Sequence, residues 1–81
     1  MADEQHLDLR GLKCPLPALK TRRALARLAP GTLLSVTCTD PLAVIDIPNV
    51  VRETGDNLES QAVEHGILTF RIRKVPPQPE R

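Results

Sequence analysis

Apolar residues recur along this chain in two rhythms, one of period two and one of about 3.6. The short stretch "HLDL" alternates and is followed by Gly11, which predicts a first strand over 5–9 and a tight turn. Pro15 then opens a helix. Read at about 100° per residue, Pro17, Ala18, Thr21, Ala24, Leu25 and Leu28 share one face, expected to pack on a sheet, with Lys20, Arg23 and Arg27 opposite. The helix stops at Pro30 and Gly31. "TLLSVTCT" resumes strand alternation, with Leu34, Val36 and Cys38 directed to the core.

A second helix begins after Asp40 and Pro41, an acceptor side chain followed by a residue with no amide hydrogen to lose. Ala43, Ile47, Val50, Val51 and Thr54 form its apolar face, and Gly55 is its stop. Pro48 interrupts it: either Asp46 caps a fresh start after one loose turn, or the helix kinks. Two strands follow, over 57–63 and 67–74, joined through His65 and Gly66. "VPPQPER", residues 75–81, cannot pair in a sheet and is expected to be disordered.

The order βαβαββ buries these faces most simply as two helices on one side of a four-stranded sheet, an α/β two-layer sandwich in a single domain over 1–81. Each helical crossover makes its flanking strands parallel, and the closing hairpin is antiparallel. Chemistry in such sheets gathers at the carboxyl ends of parallel strands, where Cys14, Cys38 and Asp40 fall.

Composition narrows the chemistry. A chain of 81 residues buries only about 60% of its unfolded surface, so the core must be small; one Phe and no Tyr or Trp make it aliphatic. No stretch is long and apolar enough to span a bilayer, and "MADEQHLDLR" is unlike a secretory signal, so a cytoplasmic protein is expected. Two cysteines are too few for a disulfide framework and lack zinc-ligand spacing; no metal or cofactor is expected. The net charge of +1 hides an asymmetry, because residues 9–39 hold Arg10, Lys13, Lys20, Arg22, Arg23 and Arg27 and no acid.

"KCPLP" carries the reactive candidate. If Pro15 is the first helical residue, Cys14 is the N-cap and its sulfur meets the positive end of the helix, with the Leu16 amide as its natural donor. Lys13 and Arg10 add positive charge, so the thiol is expected to ionise well below its ordinary range. The prolines also favour extended backbone at Cys14 and Leu16, which conflicts with a regular first turn at Leu16. Cys38, in phase with Leu34 and Val36, reads as a core residue with a raised pKa. His6 lies at the wrong end of its strand and His65 too far along the sheet edge to serve Cys14 as a base. A lone ionised thiol still suffices for thiol exchange or for accepting sulfur from another protein's persulfide. Leu16, Leu19 and Leu42 would form an apolar docking spot around it, rimmed by Arg10, Lys20, Arg23 and Arg27.

"LDLRGLKCPLP", with "PG" after the first helix, "TDP" after the second strand and "DIP" in the second helix, is similar to the TusA/SirA family of small sulfur carrier proteins. The resemblance spans about residues 7–74 and implies a mixed sheet in the order 1-2-4-3. It implies that Cys14 carries sulfane sulfur as a persulfide, with Pro15, Pro17, Asp40 and Pro41 completing the motif and loop. It also implies a donor, a cysteine desulfurase or rhodanese-type protein, and an acceptor in tRNA thiolation, molybdenum cofactor synthesis or sulfur oxidation. Cys38 is not part of the family pattern. A monomer is expected. Two other classes remain open: a thiol redox or regulatory protein in which Cys14 forms a disulfide, and a nucleic-acid-binding module. The lack of exposed aromatics and the near-zero net charge weigh against the second.

Overall fold

A computed structural model describes residues 3–76. The elements are β1 (Glu4–Leu9), α1 (Leu16–Arg27), β2 (Leu33–Cys38), α2 (Ala43–Thr54), β3 (Asn57–Glu64) and β4 (Ile67–Arg73). They form one sheet in the order β1-β2-β4-β3. β1 and β2 are parallel; β2 with β4 and β4 with β3 are antiparallel. The order βαβαββ is that expected from the sequence pattern, and the 1-2-4-3 sheet is that implied by the family resemblance. The expected disorder at the carboxyl end concerns residues that lie mostly outside those described.

Alternation decides which side the helices cover. Leu34, Val36 and Cys38 from β2 join Leu68, Phe70 and Ile72 from β4 and Leu9 from β1 in one buried cluster. Leu25, Ala43, Ile47, Val50 and Val51 from the helices close over them. Each Leu, Ile, Val or Phe side chain among them contributes about 1.5–3 kcal/mol when fully removed from water. The predicted face of α1 is realised, with Pro17, Thr21 and Leu25 buried and Ala18, Ala24 and Leu28 half-buried.

α2 runs unbroken through Pro48, so no fresh start at Asp46 is present. The amide that Pro48 lacks would have bonded to the carbonyl of Val44, an exposed residue. Gly55 ends the helix in the left-handed region, φ 82°, and the Asp56 amide returns to the Val51 carbonyl at 3.2 Å, the six-to-one bond of a Schellman stop. His65 and Gly66, both at positive φ, make the tight β3–β4 turn. The β3–β4 register shifts between Leu58 and Ser60, leaving Glu59 unpaired as a bulge with its carboxylate on the Arg73 guanidinium at 2.8 Å.

Candidate functional site

The parallel pairing of Leu9 with Cys38 brings the two strand ends side by side, so the β1–α1 loop and the β2–α2 loop meet at one edge. Gly11, at φ 84°, turns the chain out of β1, and its amide donates to Thr39 Oγ1 at 2.8 Å. The Cys14 amide donates to Asp40 Oδ2 at 2.7 Å, and the other oxygen of the same carboxylate accepts the Leu42 amide at 3.1 Å. Asp40 therefore clamps the cysteine loop to the start of α2. Both bonds, with the charge of Lys13 nearby, hold its carboxyl below the usual carboxylate range.

The turn at "KCPLP" differs from the sequence expectation. Pro15, not Cys14, is the N-cap of α1, and the Leu16 amide donates to the Lys13 carbonyl at 2.9 Å rather than to sulfur. Leu16 is the first helical residue even though Pro17 follows it. Pro17 lacks an amide hydrogen where the helix has no acceptor to offer, so the first turn loses nothing by it. The exposed Cys14 Sγ donates to Asp46 Oδ2 at 3.0 Å.

This contact reverses the expected ionisation. The hydrogen bond to Asp46 is the largest influence on the thiol and raises its pKa, followed by desolvation and the negative charges of Asp46 and Asp40. The sequence expectation counted the cations next to Cys14 in the chain. Folding instead brings two carboxylates to the sulfur. Arg10, counted among those cations, is occupied: its guanidinium makes two 2.9 Å contacts to Asp8, and its amide donates to the same carboxylate at 3.1 Å. Asp8 is lowered to about 2 by that side-chain hydrogen bond first and the backbone one second.

Cys38 is fully buried, and desolvation, then the charge of Asp40, pushes its thiol up to about 11. His6 is exposed on β1 opposite Ser35, and His65 is exposed in the hairpin turn. The described residues contain no grouping of His, Cys, Asp and Glu able to hold a metal ion.

Leu16, Leu19 and Leu42 are exposed at 44%, 47% and 53%, and Val44 and Ile45, which the sequence reading did not single out, extend the exposed set along α2 at 42% and 59%. A hollow of about 300 Å³ is lined by Gly11, Leu12, Lys13, Thr39, Asp40 and Pro41. Lys20, Arg23 and Arg27 do come together, but they flank α1 beside Leu7 on the edge strand β1, lining a hollow of about 250 Å³, rather than standing opposite the sheet. Arg22 turns the other way and pairs with Glu53 on α2.

A family profile described as sulfurtransferase TusA matches residues 5–74. This chain belongs to the TusA family. It is 40% identical over 75 residues to the sulfur carrier protein TusA of Allochromatium vinosum, covering 91% of this chain and 99% of the relative. It is 41% identical over 68 residues to the sulfur carrier protein TusA of Pseudomonas aeruginosa, covering 84% and 86%. A crystal structure of a SirA-like protein from Desulfitobacterium hafniense superposes with a TM-score of 0.78 at 19% identity, covering 89% of this chain and 99% of that one, which shows the shared fold. No helix among the described residues is long and apolar enough to cross a membrane.

Proposed function

We propose that this protein is a cytoplasmic sulfur carrier in which Cys14 accepts sulfane sulfur from a donor persulfide and relays it to an acceptor protein. The observation that carries this reading is an exposed thiol fixed at the meeting of two parallel strand ends, Cys14 N on Asp40 and Cys14 Sγ on Asp46, in a chain of the TusA family. Cys14 Sγ bonds to the outer sulfur of the donor, the donor's sulfur–sulfur bond breaks, and the donor is left as a thiol. An acceptor thiol then takes the outer sulfur and restores Cys14. Lys13, Pro15, Leu16, Pro17, Asp40 and Pro41 shape the loop, and Leu19, Leu42 and the cations Lys20, Arg23 and Arg27 meet the partners. The donor is a cysteine desulfurase or a rhodanese-type protein, and the acceptor belongs to a relay serving tRNA thiolation, molybdenum cofactor synthesis or sulfur oxidation.

The disulfide alternative needs a partner thiol, and Cys38 is sealed in the core. A nucleic-acid module would stack bases on aromatics, and the one aromatic residue, Phe70, is buried. The test is incubation with a cysteine desulfurase and labelled cysteine, followed by intact mass and peptide mapping. Label reaching Cys14 is the expected result, and its absence from that peptide rejects the reading.

A further inference from the structure

Sulfur acceptance, as proposed above, needs Cys14 to lose a proton while it attacks, and the site is built so that the proton has one nearby destination. The S–H is donated to Asp46 Oδ2 at 3.0 Å. The charged groups about the sulfur are Asp46 from α2, Asp40 from the β2–α2 loop, and Lys13 from the cysteine's own loop, which acts on Asp40. Arg10 is held by Asp8. Asp40 has both oxygens committed to backbone amides, those of Cys14 and Leu42. Asp46 has no hydrogen-bond partner for its side chain other than Cys14 among the described residues, and it is half-buried beside an exposed thiol. The two histidines stand elsewhere on the sheet, one on β1 and one in the β3–β4 turn.

We propose that Asp46 is the base for Cys14: its carboxylate takes the thiol proton as the sulfur attacks and returns it to the departing donor. A carboxylate is a weaker base than a thiolate, so at rest the proton stays on sulfur and the contact is S–H donating to oxygen. As Sγ forms its bond to the outer persulfide sulfur its electron density falls, and the proton moves to Asp46 Oδ2. The donor's sulfur–sulfur bond breaks with its electron pair on the inner sulfur, which then receives that proton from Asp46. The net change is Cys14–SH and R–S–SH to Cys14–S–SH and R–SH, with the carboxylate regenerated and no external oxidant or reductant. The same hydrogen bond disfavours a free thiolate, so the resting sulfur is protected from small electrophiles while remaining competent toward a persulfide.

The test compares the wild type, Asp46→Asn and Asp46→Glu, each shown to be folded by circular dichroism, in two reactions near neutral pH: sulfur acceptance from glutathione persulfide in single turnover, and alkylation by iodoacetamide. Asp46→Asn is expected to slow acceptance by about tenfold or more while alkylating faster than the wild type, because the thiolate is no longer opposed by a carboxylate. Asp46→Glu is expected to recover much of the acceptance rate. Acceptance that is undiminished in Asp46→Asn overturns the proposal and leaves the carboxylate as a brake on ionisation. A parallel fall in both reactions also overturns it, since a merely structural role predicts that pattern. A wild type that alkylates at Cys14 but takes no sulfur there rejects the carrier reading itself, and this proposal with it.

Discussion

The carboxylate of Asp40 accepts the backbone amide of Cys14 at 2.7 Å, across 26 positions of sequence, so the loop after β2 fixes the backbone that presents the thiol after β1. Parallel pairing makes this possible, because it aligns the carboxyl ends of both strands at one edge.

Asp40→Ala removes the acceptor for both the Cys14 and the Leu42 amides. The variant is expected to unfold at a lower urea concentration and to accept sulfur more slowly with Cys14 still in place. Asp40 has a depressed pKa in the folded protein, so its contribution is present above the ordinary carboxylate range and is lost as pH falls through the folded value. The wild type and Asp40→Ala are therefore expected to converge in acid. A urea series from neutral to strongly acidic pH measures this, and a gap that persists undiminished at the acid end contradicts it.

Sulfur loading is expected to separate the two cysteines. Cys14→Ser removes the exposed thiol and should abolish the gain of about 32 Da that marks one sulfur atom. Cys38→Ser leaves that site intact and should still load, but it places a hydroxyl in a fully buried position, at a cost of about 1–3 kcal/mol. Intact mass and urea denaturation of the two variants read both halves of the expectation.

The fold was legible in the sequence because each element carries its own periodicity. Val36 and Cys38 share a strand face, Ala43, Ile47 and Val50 a helix face, and Gly55 stops that helix. The thiol's surroundings were less legible, since they depend on residues that only tertiary structure brings together. Asp46 lies 32 positions from Cys14, in a stretch whose interrupting proline made it read as a capping residue. The "DIP" segment was the available signal. The parallel pairing of β1 with β2 was expected, but not which side chain at the start of α2 it would set against the cysteine loop. Arg10 was misread for a more local reason: Asp8, two residues away, claims its charge.

That pair gives a direct check. Asp8 titrates at about 2 because the Arg10 side chain, and then its amide, bond to the carboxylate. Arg10→Ala is expected to return the Asp8 carboxyl toward the ordinary value of about 3.9 while sulfur loading changes little. Carboxyl carbon shifts followed by NMR through an acid titration would show the rise. An unmoved Asp8 would mean that the guanidinium is not what holds it down.

Lys20, Arg23 and Arg27 lie together on the flank of α1. Opposite charge speeds encounter more than it strengthens a bound state, so Arg23→Glu combined with Arg27→Glu should slow transfer from an acidic donor most at low salt, with the fold unchanged. Transfer rates measured across a range of ionic strength should show the difference narrowing as salt is added. Rates that match the wild type at every ionic strength would leave this cluster as ordinary solvated surface.

Cys38 tests whether the chain can act as an intramolecular redox switch. Its thiol is fully buried, in phase with Leu34 and Val36, whereas Cys14 is exposed on the loop beyond β1. Mild oxidation is therefore expected to modify Cys14 alone or to join two chains through it, and peptide mapping of the monomer should find Cys38 reduced. Alkaline titration supplies a second reading. Burial raises the folded thiol of Cys38 to about 11, so above the ordinary thiol range the unfolded chain loses that proton while the folded one keeps it. Stability is expected to fall as pH rises from that range toward the folded value, and Cys38→Ala should flatten the decline. A dominant Cys14–Cys38 link after mild oxidation would overturn the assignment of Cys38 to the sealed core and favour a redox role over simple carriage.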